Sequence, residues 1–104
     1  MDRTIKPEIL KNELAGKHVI DVRRKNDLDA SNEKVPGATW YDPEQLAQWA
    51  GSLPKDQDIV LYCVRGGAVS NSVVDALQAK GLKAHFIEGG IEGWKAAGGT
   101  VSEK

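Results

Sequence analysis

The run Ile59-Val60-Leu61-Tyr62, ending on Cys63, constrains the fold more than any other part of the sequence. Four apolar residues in succession leave no face for water. Such a strand needs cover on both sides, which is the setting of a central strand in a parallel sheet. Parallel neighbours are joined by crossovers, usually helices. The run therefore points to an α/β architecture, provided that helical segments flank it. A chain of 104 residues has room for one domain, and residues 1–104 read as that single domain.

Helical segments do flank it. Val69, Val73 and Leu77, with Val74 and Ala76 beside them, form a stripe at helical spacing that Gly81 closes. Upstream, Pro7 suits a first helical turn, Ile9, Leu10 and Leu14 recur at helical spacing, and Gly16 ends the segment. DPEQLAQWAG reads as one helix. Asp42 would be its N-cap, Pro43 its first residue, Gln45 the partner in a capping box and Gly51 its end. Leu46 and either Trp49 or Ala50 would face the core. Short strands are expected in HVIDVR and ATWYD, a strand and turn in KAHFIEGG, and a last short helix in IEGWKAAG, capped by Gly98 and Gly99. Residues 24–37 read as a polar loop with a Pro-Gly turn, and the tail GTVSEK as frayed. The alternation predicts an open parallel α/β sheet with helices on both faces.

Composition removes several classes of function. The formal net charge is -1 and the pI about 6.1, so no basic face calls for nucleic acid. No run of about 20 apolar residues offers a membrane span. The start, MDRTIKPEIL, lacks the plan of a signal peptide, so a cytoplasmic location is expected. One cysteine can form neither an internal disulfide nor a multi-cysteine zinc site. The two histidines, His18 and His85, fall in predicted strands and read as structural. No metal and no dissociable cofactor are expected. The sequence leaves the oligomeric state open.

Cys63 falls at the carboxyl end of the central strand, the edge where open α/β sheets bind ligands. The next helix should begin between Gly67 and Ser70. The glycines between permit a turn whose N–H groups point inward, and such a ring at a helix start holds anions. Arg65 adds positive charge. A sulfur held there would be favoured as thiolate, below the ordinary thiol value of about 8.5. The residues equally admit a plainer reading, a buried strand cysteine followed by an ordinary turn. Ser70 or Ser72 could cap the following helix or simply stand exposed in its first turn. Asp21 and Arg23 could reach the site or tie loops together, with Asp27, Asp29 or Glu33 as the partner acid. Trp40 and Tyr41 are candidates for the pocket rim.

Four motifs in order carry a resemblance. VIDVR (residues 19–23), KVPGA (34–38), LYCVRGG (61–67) and IEGGIEGW (87–94) resemble the successive signatures of the rhodanese homology domain. The resemblance implies five parallel strands, and a loop cysteine that carries a sulfane sulfur as a persulfide. It makes Cys63 the catalytic residue, and Val64, Arg65, Gly66, Gly67, Ala68 and Val69 the substrate-binding loop. The implied partners are a small anionic donor, such as thiosulfate or polysulfide, and a thiol, protein or cyanide acceptor. The chain departs from the family at Ala68, where an arginine is more usual, and at Lys34, where the proline turn usually has histidine. Arg65 is the candidate replacement for the missing charge. Two other readings follow from the same motifs. One is a binding or regulatory module, against which the intact Cys63 argues. The other is a phosphatase or arsenate reductase, against which Val69 argues, because related seven-residue loops close on arginine.

Overall fold

Five strands make one wholly parallel sheet: β1 (Thr4–Ile5), β2 (His18–Asp21), β4 (Thr39–Trp40), β5 (Ile59–Tyr62) and β6 (Ala84–Ile87), in the order β1-β6-β5-β2-β4. The computed structural model describes residues 3–65 and 67–103. A two-stranded antiparallel ribbon, β3 (Glu33–Lys34) with β7 (Ser102–Glu103), stands apart from this sheet. As the apolar run requires, β5 lies at the centre, in register with β2 (Ile20 beside Leu61) and with β6 (Leu61 beside Phe86).

Alternation along β5 explains why all four of its residues are apolar. Ile59 and Leu61 enter one core, and Val60 and Tyr62 enter the other. The first core is closed by α3 (Leu46–Trp49) and α4 (Ala68–Ala79), through Trp49, Val73, Val74 and Leu77. The second is closed by α1 (Pro7–Leu10) and α5 (Gly90–Ala96), through Leu10, Ile91 and Trp94. Each fully buried Leu or Ile contributes about 1.5–3 kcal/mol, so the sheet is held from both faces. The predicted helix stripe ends as expected. Gly81 turns at φ +82, its N–H donates to the Gln78 carbonyl, and the Leu82 N–H donates to the Leu77 carbonyl. This is a Schellman closure, with buried Leu82 as its apolar partner.

Four local expectations are corrected. Residues 24–37 are not all loop, since they hold the short helix α2 (Lys25–Asp29) and β3. With five residues and Leu28 as its one apolar side chain, α2 offers no periodicity to read; its Lys25–Asp29 pair at 2.8 Å is the visible support. The tail is not frayed. Trp94 donates from its indole to the Thr100 carbonyl at 2.6 Å, Val101 packs on the second core, and β7 pairs with β3. DPEQLAQWAG is not one helix. Asp42 caps as predicted, accepting from the Glu44 N–H at 2.9 Å, but Gln45 adopts φ -118, ψ 29 and breaks the segment. A 3₁₀ turn, α3 and a second 3₁₀ turn follow one another. The N-terminal helix also stops early, at Leu10, and Ile9 is 49% exposed instead of facing the core. Among the described residues, no helix is long and apolar enough to cross a membrane.

Candidate active site at the end of the central strand

β5 delivers Cys63 to the carboxyl edge of the sheet, and the chain then has few residues in which to turn into α4. Two backbone bonds hold the turn from beneath. The Ile91 N–H donates to the Cys63 carbonyl at 3.0 Å, and the Glu92 N–H to the Val64 carbonyl at 3.1 Å. Both donors belong to the first turn of α5, where N–H groups have no partner within the helix. The approach is close enough to demand glycine at position 90. That residue has φ +62, and a Cβ there would lie 2.4 Å from the Cys63 oxygen and 2.5 Å from the Val64 oxygen. The second glycine of the IEGGIEGW segment is thus the floor of the cysteine loop.

Cys63 is 7% exposed and opens onto a hollow of about 420 Å³. Its sulfur accepts a hydrogen bond from the Ser70 hydroxyl at 3.0 Å. Ser70 is fully buried in the first turn of α4, whose N-cap is Gly67, so neither serine caps the helix and Ser72 is exposed. A buried hydroxyl whose hydrogen points at sulfur favours the charged form of that sulfur. Of the loop residues expected to bind substrate, Val64, Arg65, Gly67, Ala68 and Val69 all line the hollow. Gly66 lies outside the described residues. Among the described residues, the backbone N–H groups of Val64, Arg65 and Gly67 donate to no protein acceptor.

Arg24 and Asp27, which the sequence reading left out of the site, complete the wall. The four arginines of the chain divide sharply. Arg3 is tied to Asp75 and Asn71, and Arg23 to Asp21. Arg24 and Arg65 are exposed, and among the described residues neither guanidinium has a hydrogen-bond or ion-pair partner. Both free arginines stand at the hollow of Cys63.

The Asp21–Arg23 question is settled by geometry. The acid paired with Arg23 is Asp21 itself, at 2.7–3.1 Å through Nε and Nη2, while Glu33 contributes only its backbone carbonyl, at 2.8 Å. Both side chains are almost wholly buried. Burial opposes the Arg23 charge, but the hydrogen bonds and charge of Asp21 outweigh it and hold the guanidinium above its ordinary value. The same guanidinium lies 5.6 Å from the Tyr62 ring centre. Burial, with the Asp21 carboxylate nearby, pushes the Tyr62 phenol well above its ordinary value, so it stays neutral and accepts from the Val35 N–H at 3.2 Å. This cluster ties the ends of β2 and β5 to the turn at Pro36 and Gly37. Trp40 serves it too, donating to the Arg23 carbonyl at 2.8 Å, and Tyr41 packs on Trp49 at 4.9 Å, so neither aromatic lines the Cys63 hollow. His18 and His85 also stand away from that hollow.

The geometry can be set beside known proteins. The model of the rhodanese-like domain family matches residues 6–97. A tRNA sulfurtransferase of Desulfurococcus amylolyticus is 32% identical over 78 residues, 75% of this chain, but the match spans 15% of that longer protein. A rhodanese-related protein from Thermoplasma volcanium shares the fold over 98% of this chain and 99% of its own, with a TM-score of 0.87 and 24% identity. A thiosulfate sulfurtransferase from Pseudomonas aeruginosa is matched over 99% of this chain and 20% of its own length, with a TM-score of 0.80 and 27% identity. A strand-end cysteine over a glycine floor, in a five-stranded parallel sheet matched along nearly the whole chain, leaves no ambiguity of kinship: the chain belongs to the rhodanese-like domain family.

Proposed function

We propose that the protein is a sulfurtransferase that moves a sulfane sulfur through a persulfide on Cys63. The observation that carries the reading is the Ser70 hydroxyl hydrogen-bonded to the Cys63 sulfur, in a hollow bordered by two unpaired guanidinium groups. A lone thiol needs no such surroundings for packing. A thiolate that must meet an anionic donor does, since the donor and the nucleophile repel each other unless positive charge stands close by. The names of the two sulfurtransferase relatives point the same way.

With thiosulfate as donor, the Cys63 thiolate attacks the outer sulfur. The new Sγ–S bond forms as the old S–S bond breaks, and sulfite leaves with the electron pair. Charge balances at three negative charges on each side, and the sulfane sulfur keeps its oxidation level. Arg65 and the free N–H groups of the loop would hold the sulfite end. In the second half, an acceptor thiolate attacks the outer sulfur of the persulfide and carries it away, restoring the Cys63 thiolate. No proton has to be lifted from carbon and no electron leaves the site, so the chain's own residues suffice for both halves.

Such a scheme requires that the first product leave before the acceptor reacts. Initial rates measured over a grid of thiosulfate and thiol concentrations should give parallel double-reciprocal lines. Intersecting lines would mean that donor and acceptor must be bound together, and the persulfide route would fall.

A further inference from the structure

Two hollows meet at Arg24. The first is that of Cys63. The second, of about 260 Å³, runs along the first turns of α4 and shares Arg24, Ala68 and Val69 with the first. Pro43, Leu46, Val69 and Val73 give it an apolar part, and Glu44 and Ser72 complete the lining. Thiosulfate and sulfite have no apolar part to set against such a surface. The hollow therefore answers to the other reactant, the one that brings carbon. Arg65 borders the first hollow alone, whereas Arg24 stands where the two join. Its guanidinium has no protein partner among the described residues, which leaves its charge for a ligand. Asp27 lines the first hollow and Glu44 the second, so in the second hollow Arg24 is the one cationic side chain, among the described residues, that could offset their charge and hold a carboxylate.

We propose that Arg24 is a specificity-determining residue for the acceptor: the second hollow takes the apolar body of a small organic thiol, and Arg24 holds its anionic group, most simply a carboxylate. Arg65 and the loop then serve chiefly the donor. The division rests on the sulfur-transfer reading. In the acceptor step, the bound thiolate attacks the outer sulfur of the Cys63 persulfide. An S–S bond forms on the acceptor, the Sγ–S bond breaks, and its electron pair returns to Sγ. With a carboxylated thiolate, three negative charges enter and three leave, the carboxylate being a spectator.

A ping-pong enzyme separates the two assignments cleanly, because kcat/KM for the donor reports only the first half-reaction and kcat/KM for the acceptor only the second. The experiment compares Arg24→Gln and Arg65→Gln with the wild type, using thiosulfate as donor and two acceptors of equal length, 3-mercaptopropionate and 3-mercapto-1-propanol. Arg24→Gln should lower the ratio of kcat/KM for the carboxylated over the neutral acceptor about fivefold, the size expected of one solvent-exposed charge contact. Arg65→Gln should lower kcat/KM for thiosulfate more than Arg24→Gln does, and should move the acceptor ratio less. Both positions are exposed, so both variants should fold. A second arm needs no sulfur transfer. The rate at which 3-maleimidopropionate alkylates Cys63, divided by the rate for N-ethylmaleimide, should fall by a similar factor in Arg24→Gln. If the wild type moves no sulfur but this ratio falls, the sulfurtransferase reading fails and the acceptor role of Arg24 with it, while Arg24 stands as a carboxylate-holding residue beside Cys63. An acceptor ratio and a maleimide ratio both unchanged in Arg24→Gln would overturn the assignment. So would a loss of thiosulfate kcat/KM in Arg24→Gln greater than that in Arg65→Gln.

Discussion

Arg23 and Arg24 are neighbours in the chain and opposites in the fold. The Arg23 side chain is 1% exposed, and its Nε and Nη2 donate to both Asp21 oxygens and the Glu33 carbonyl. Arg24 is exposed and, among the described residues, has no partner. One residue of advance past the end of β2 turns the chain from the core to the mouth of the Cys63 hollow. Guanidinium chemistry is the same at both positions. What differs is whether the protein spends the hydrogen bonds on itself. A buried charge paired with an internal carboxylate is a structural fastener, and an exposed one without a protein partner is available to a ligand.

The largest effect should appear when this contrast is broken by the same substitution at both positions. Arg23→Ala leaves the Asp21 carboxylate buried and unpaired, at a cost of about 3–5 kcal/mol. Arg24→Ala touches no internal contact and should shift stability by no more than about 0.5 kcal/mol. Urea denaturation of the two variants beside the wild type reads both numbers. Equal losses would mean that the buried pair is no fastener, and the division between the two arginines would have to be given up.

A smaller effect sharpens the other half of the comparison. Ser70 is buried like Arg23, yet its hydroxyl donates to the Cys63 sulfur. Ser70→Ala should therefore leave the fold in place while slowing alkylation of Cys63 by neutral iodoacetamide at neutral pH. A hydrogen bond to a charged group contributes about 1.5–3 kcal/mol when buried, so a tenfold loss is the expected order. An unchanged rate would show that the hydroxyl only fills space beside the sulfur.

The sequence made the sheet legible because one strand had to be covered twice. Ile59 to Tyr62 could only be central, and the stripe of Val73, Val74 and Leu77 could only be a covering helix. Cys63 and the loop followed from their place after that strand. What stayed hidden had weak local signals. α2 carries one apolar residue, and the tail is ordered by a side-chain bond from Trp94 to the backbone of Thr100 and by pairing with β3, which is remote in sequence. Gly90 read as a turn residue, and only the approach of the Cys63 and Val64 carbonyls shows why no side chain fits. Ser70 did leave a trace. It stands three, four and seven residues before Val73, Val74 and Leu77, on the buried stripe, where a hydroxyl needs a partner. Arg24 left none, since nothing in the order Arg23-Arg24 says which guanidinium the core will claim.

Whether Cys63 carries sulfur is read most directly by intact-protein mass spectrometry. Wild-type protein incubated with thiosulfate or polysulfide and freed of excess donor should gain the mass of at least one sulfur atom, and dithiothreitol should remove it. Cys63→Ser, treated alike, should gain nothing. Wild-type protein that stays at its unmodified mass with both donors, while its fold is intact, would contradict the claim and leave the domain as a binding module built on the same sheet.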